Sequence, residues 1–288
     1  MNCDYSKIKE KTKRIIESFE HWSRRIIDDV YKSLFGEDYF HYQKEDGSNL
    51  IKKDIIKTFE ERNSEDSKRF PRMIDSILLE DIAYFLCKEE AYNSVFKNFL
   101  SSLFISEEEI RNKINIIVNV RNKLMHSNDI SIRESDQVNC YCSDFIECYK
   151  DYYLSMGKER DYNVPTIIKA VDSLGNVLNP TNTHAADSHS IYVENKKEQL
   201  RSGDEYWVSV IVDPVFDEST YTINWYSDNV LTGTGNQLKV LFQDENVGRM
   251  FEIDCLVISN KKWHRYIKHD DGIHICIFEI LPPIEDSY

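Results

Sequence analysis

At 288 residues the chain is long enough for two domains of ordinary size, each with its own core. Its 41% hydrophobic and 30% charged content fits a folded globular protein and excludes a disordered one. A formal net charge of −14 argues against broad, sequence-independent affinity for nucleic acid, which needs Lys and Arg to neutralise phosphates.

The charge is uneven. Residues 1–156 hold 24 basic and 29 acidic residues, a net of −5, whereas residues 157–288 hold 12 and 21, a net of −9. If a nucleic acid is bound anywhere, a local basic pocket of the first half is the expected place. No run approaches the roughly 18 consecutive apolar residues of a membrane span. The first residues, Met1 to Lys7, show no apolar signal segment, so no secretory signal is expected, and without a spanning run no membrane partner either. Seven Cys, odd in number and mostly inside apolar runs, read as reduced thiols of a cytoplasmic protein.

The spacing of Ile8, Ile15, Phe19, Trp22, Ile26, Val30 and Leu34 predicts one long helix over residues 5–35, ended by Gly36. Its first turns carry Lys7, Lys9, Lys11, Lys13 and Arg14, read as a solvated face. Ser48 is expected to cap a second helix that carries Leu50, Ile51, Ile55, Ile56 and Phe59, with a polar loop over residues 63–69. Pro71 opens a third helix with Ile74, Ile77, Leu78, Ile82, Phe85 and Leu86 inward. A shorter helix runs from about Glu89 to Leu103. Ser106 with Glu109 forms a capping box for a further apolar helix. After a loop over residues 127–135, a last helix carries Val138, Cys142, Phe145, Tyr149 and Tyr152. The sum is a bundle of five or six helices over residues 1–156.

From Gly157 the composition turns to Pro, Gly and Asn. Residues 157–202 read as a linker with a candidate first hairpin, residues 164–171 against 176–178. Over residues 203–288 the apolar period becomes two: Val208, Val210 and Val212, then Tyr221, Ile223 and Trp225, Leu238 to Phe242, Phe251 to Val257, and Ile273 to Ile277. Short strands at this spacing predict a β-sandwich. Trp225 followed thirty residues later by Cys255 resembles an immunoglobulin-like domain, although the second Cys expected near Val208 to Val212 is absent. The predicted fold class is thus multidomain, α then β.

One run carries candidate chemistry: Arg121-Asn122-Lys123-Leu124-Met125-His126. Ile110, Ile114, Ile117 and Arg121 fall at spacings of four, three and four, so Arg121 extends an apolar stripe, where a guanidinium needs an anionic partner. That partner is either a carboxylate of the same fold or a phosphate. Asn122 and His126, four apart, share another face. Cleaving RNA without a metal needs a base on the ribose 2′-hydroxyl, an acid for the leaving oxygen and a cation on the phosphate. His serves as base or acid near neutral pH, and Arg holds the non-bridging oxygens.

With Asn directly after the Arg and helices around it, the run resembles the signature of the HEPN superfamily: Arg, a polar residue, and a His four to six positions after the Arg. The matching positions are Arg121, Asn122 and His126 over about half of the chain. The resemblance implies a metal-independent endoribonuclease that acts as a homodimer, two copies of the run lining one cleft, in a toxin or antiviral-defence setting. It implies no cofactor and no metal. A position two past the His holds a Tyr in some family members, but here it is Asn128, so regulation through that residue is not carried over. Arg111-Asn112-Lys113 echoes the run without a His, since Ile116 stands at the fifth position after Arg111.

The alternative reading is a non-catalytic adaptor or nucleotide-sensing module that uses the bundle for dimerisation. The β domain, acidic and without evident chemistry, is expected to recognise a protein partner or to regulate. Among weaker candidates, His264, His269 and His274 flank the turn signal Asp270-Asp271-Gly272, read first as a solvated hairpin tip and second as a metal site. Cys140, Cys142 and Cys148 are unsuited to zinc on one helix, and Gly233-Thr234-Gly235 reads as a turn.

Overall fold

A computed structural model describes residues 5–65, 70, 72–178, 190–193, 200–227 and 230–284. Two compact units divide the chain, Met1–Lys158 and Glu159–Tyr288, the first helical and the second built of strands.

The helical unit begins with α1 (Tyr5–Phe35), which stops where Gly36 turns to a φ of 88° and returns its N–H to the Lys32 carbonyl at 2.9 Å. The second helix, α2 (Lys53–Glu65), starts later than Ser48. Ser48 instead gives its N–H and hydroxyl to Asp46 at 2.8 and 2.6 Å, and Gln43 bridges Asn49 as in a small hairpin. Leu50 and Ile51 are fully buried without being helical. A 3₁₀ turn over Met73–Ser76 precedes α3 (Leu79–Leu86); Pro71 lies outside the described residues, as do residues 66–69 of the expected loop. The expected shorter helix is α4 (Glu89–Ala91), a π turn over Tyr92–Phe96, and α5 (Lys97–Leu100). Then come α6 (Glu107–Met125) and α7 (Ile132–Ser155).

The long helices α1 and α7 meet through Phe19 and Phe145, ring centroids 5.2 Å apart, and through the buried Thr12–Ser135 hydroxyl pair at 2.7 Å. Phe104 stacks on Phe145 at 4.2 Å. A second aromatic cluster, Tyr31, Phe40, Phe59 and Phe85, joins α1, α2 and α3, each ring almost wholly out of water. Burial of such rings is the main stabilising term of the unit.

The second unit opens with a single turn, α8 (Glu159–Tyr162). Its strands are β1 (Ile167–Asp172), β2 (Val177–Leu178), β3 (Ser190–Val193), β4 (Glu205–Val212), β5 (Tyr221–Ser227), β6 (Val230–Thr234), β7 (Gln237–Leu241), β8 (Phe251–Ser259) and β9 (Asp271–Ile277). They form two sheets, ordered β2-β1-β4-β7 and β3-β9-β8-β5-β6. Neighbours are antiparallel except β3, which runs parallel to β9. In β4 the buried residues are Tyr206, Val208, Val210 and Val212, and the alternate ones are exposed (Glu205) or half-buried, the period-two pattern of a strand with one face inward. Side chains of both sheets, Val208 and Val210 of one and Trp225, Cys255 and Ile275 of the other, enter one core.

Residues 157–202, expected as a linker with a hairpin, carry β1 and β2 as that hairpin and also β3. The turn run over residues 179–184 lies outside the described residues. In the β8–β9 connection the turn-signal carboxylates are not at a solvated tip, although Ile267 before them is exposed. Asp270 and Asp271 are 0% and 3% exposed, because their carboxylates collect backbone donors. Asp270 accepts from the N–H of Ser259 and Arg265 at 2.7 and 3.0 Å, and Asp271 from that of Ile167 at 2.6 Å.

Candidate functional site

Ser106 caps α6 by accepting the Glu109 N–H at 3.2 Å, while the Glu109 carboxylate takes the N–H of Ile105 at 2.7 Å. Ile110, Ile114 and Ile117 are buried, and Val120 rather than Arg121 continues their stripe. Arg121 sits at the stripe's border with 26% of its side chain exposed. Its Nη2 donates to Glu80 Oε2 at 2.7 Å. Glu80 stands in the first turn of α3, where the helix dipole favours a carboxylate. Of the two partners expected for this guanidinium, the carboxylate of the same fold is the one in place.

The end of α6 is a Schellman turn. His126 is the C-cap, with its N–H on the Asn122 carbonyl at 3.1 Å. Ser127 follows at φ 58°, its N–H on the Leu124 carbonyl at 3.1 Å, and Asn128 closes back on Lys123 at 2.9 Å. Ser127 is the one non-glycine residue in the left-handed region among the described residues. Glycine is the usual occupant, and a side chain there costs about 1–2 kcal/mol.

His126 is exposed and Asn122 half-buried. Their side chains do not bond to each other, so Asn122 does not fix the orientation of the His126 ring in this state. On an α-helix the five-residue step from Arg121 to His126 turns about 140° and rises about 7.5 Å. The two side chains of one copy therefore leave the helix on different sides, and the structure does not bring them together on one reacting atom.

The corner after His126 is tied on both sides. Lys9 of α1 meets Asp129 at 2.5 Å. Lys123 meets Glu134 at 2.5 Å. Glu134 is also the reciprocal partner of Ser131 in a capping box that starts α7. The Lys123 ammonium, with the Ser131 N–H and hydroxyl, holds the Glu134 carboxyl down at about 2, and Lys9 lowers that of Asp129. Lys7, Lys11 and Lys13 are exposed, as expected of a solvated face, and Lys9 and Arg14 half-buried.

The other candidates are placed apart. His264 Nδ1 lies 3.1 Å from Asp270, whereas His274 Nδ1 lies 2.9 Å from Asp254 on β8. No group of three or more His, Cys, Asp and Glu suited to a metal ion occurs among the described residues. Cys142 and Cys148 are buried and their thiols pushed up by that burial, while Cys140 is exposed. Gly233 and Thr234 end β6, with Gly235 in the turn to β7. Sequence reasoning missed Glu80, whose only local signal was the acidic start of a helix. No helix of the described residues is long and apolar enough to cross a membrane.

Compared with known proteins, the chain matches no family model, no curated protein and no solved structure.

Proposed function

We propose that the chain is a metal-independent endoribonuclease of HEPN type that works as a homodimer, with Arg121, Asn122 and His126 as its site. The observation that carries this is the position of His126: an exposed imidazole at the cap of a long helix, followed at once by the strained Ser127. Backbone strain of this kind concentrates at functional sites. In this reading one His126 takes the proton of the ribose 2′-hydroxyl as its oxygen attacks the phosphorus, the second His126 gives a proton to the 5′-oxygen whose P–O bond breaks, and Arg121 holds the phosphate as charge grows on it. The product is a 2′,3′-cyclic phosphate. A single run has one imidazole, so acid and base come from two copies across a two-fold axis. The setting that the resemblance implies is a toxin or an antiviral-defence effector.

For the second unit the proposal is an immunoglobulin-like domain that recognises a partner or restrains the nuclease. Trp225 lies directly opposite Cys255 across the β5–β8 pair, which supports it. The 2.7 Å pair of Arg121 with Glu80 favours a second reading, a non-catalytic adaptor in which the run only stabilises the helices.

Incubation of the full chain with a mixed RNA pool in EDTA, beside His126→Ala and Arg121→Ala, separates the two. Cleavage by the native chain alone, with all three folded and equal in mass in solution, is the expected result. An inactive native dimer would leave the adaptor or a nuclease restrained by its own second unit, which the same assay on residues 1–156 then separates.

A further inference from the structure

Residues 255–269 contain no Asp or Glu in the more acidic half of the chain. Four of the 12 Lys and Arg of residues 157–288 fall at 261, 262, 265 and 268 of this stretch, interleaved with Trp263, Tyr266 and Ile267. Beyond the end of β8 at Ser259, this stretch is the connection to β9. It is a built loop: the buried Asp270 carboxylate gathers the N–H of Ser259, the N–H of Arg265 and the His264 ring. The Tyr266 N–H closes a tight turn on the His269 carbonyl at 2.9 Å, and Arg160 donates to the Arg265 carbonyl at 2.8 Å.

What this frame presents is specific. Ile267, at the apex of the turn, is 94% exposed. An aliphatic side chain held out in water by a rigid turn contributes nothing to the core. Trp263 is 38% exposed, and the Lys261 ammonium sits over its ring at 4.5 Å from the centroid. Lys262 and Lys268 are exposed and make no ion pair among the described residues.

We propose that the β8–β9 loop binds single-stranded RNA, with Trp263 as a stacking platform, Ile267 as an apolar wedge beside a base, and Lys262 and Lys268 on phosphates. Flat rings interleaved with cations fit a strand in which bases and phosphates alternate. In a single strand an unstacked base leaves an apolar face in water, which the exposed Ile267 side chain can cover. A lipid surface is served less well: Ile267 is followed directly by a charge rather than set in a contiguous apolar patch. The preference for RNA over DNA rests on the cleavage reading; the affinity for a single strand does not.

The test measures fluorescence anisotropy of a labelled single-stranded RNA on the full chain carrying Arg121→Ala and His126→Ala, which removes the proposed cleavage centre from the signal. In that background Trp263→Ala and Ile267→Ser are expected to weaken binding by roughly five- to a hundredfold. Lys262→Ala with Lys268→Ala is expected to lower the slope of log K against log salt by about 1.4, at about 0.7 per phosphate contact. Lys239→Ala with Arg249→Ala, elsewhere in the same unit, is expected to change little. Circular dichroism checks each variant, and Ile267→Ser, at an almost wholly exposed position, keeps the test valid should Trp263→Ala unfold. Unchanged affinity in the loop variants, or equal affinity for duplex RNA, overturns the proposal. So does loss of anionic-vesicle binding in the same variants with no RNA binding by the parent. A chain that binds RNA through the loop yet never cleaves it sinks the cleavage reading alone.

Discussion

Glu80→Gln removes the charge that holds Arg121 and keeps the shape of the side chain. The pair is partly solvated, 26% exposed on the Arg and 41% on the Glu, so its strength is that of a surface ion pair, about 0.2–1 kcal/mol. At about 1.4 kcal/mol per factor of ten, the guanidinium leaves residue 80 about 1.4 to 5 times more readily in the variant. If Arg121 must leave Glu80 to meet a phosphate, kcat/KM on RNA rises by that factor, while stability falls by no more than about 1 kcal/mol. Initial rates on a fluorogenic RNA in EDTA, below KM, read the first quantity, and chemical denaturation the second. A tenfold fall in kcat/KM in a folded Glu80→Gln protein would refute the reasoning, because Glu80 would then be positioning the guanidinium rather than competing for it.

Ser127→Gly, which relieves the left-handed Ser at the end of α6, is expected to stabilise the helical unit by up to about 1 kcal/mol in denaturant melts. Asp270→Ala leaves the N–H groups of Ser259 and Arg265 without their buried acceptor and is expected to cost about 2–4 kcal/mol in chemical denaturation. Hydrogen bonds from Ser259, Arg265 and His264 hold the Asp270 carboxyl below its usual range despite the opposing cost of burial. Its stabilisation is therefore present above about pH 4, the unfolded value, and lost as pH falls through the lowered one, so native chain and Asp270→Ala should converge in stability in acid.

The order of helices and then strands could be read from the sequence because periodicity is local. Val208, Val210 and Val212 alternate in sequence as they do in burial. Ser106 and Glu109 likewise mark a helix start within four residues. The start of α7 carried a legible signal that a polar composition hid: Ser131 and Glu134 form a capping box inside what reads as a loop. The start of α2 was misplaced because Leu50 and Ile51 are buried through a small hairpin rather than through helical period. β3 is four residues long and owes its existence to β9, some eighty positions later, and no local pattern encodes such a partner. The site divides in the same way. Arg121, Asn122 and His126 stand out as a spacing, whereas Glu80 is 41 residues from Arg121 and meets it only through tertiary packing. Asp270 reads as a turn residue because its type favours turns, and its burial follows from donors that the fold supplies.

The separation of Arg121 and His126 around α6 makes the number of copies per cleft a measurable quantity. If one His126 acts as base and its symmetry mate as acid, a dimer with a single imidazole lacks one of the two. Native chain and His126→Ala, mixed in equal amounts and exchanged to equilibrium, pair at random into about one quarter native, one half mixed and one quarter doubly substituted dimers. A cleft that needs both imidazoles then keeps about 25% of the rate of native chain at the same total concentration. A site complete within one copy keeps about 50%. Dilution adds an independent check, since the specific rate of a shared cleft falls once the chain is below its dimer dissociation constant, and that of a self-contained site does not. A retained rate near one half, unaffected by dilution, would place acid and base on one copy. Because α6 sends Arg121 and His126 to different sides, that result would also require a further proton-transferring residue near one of them.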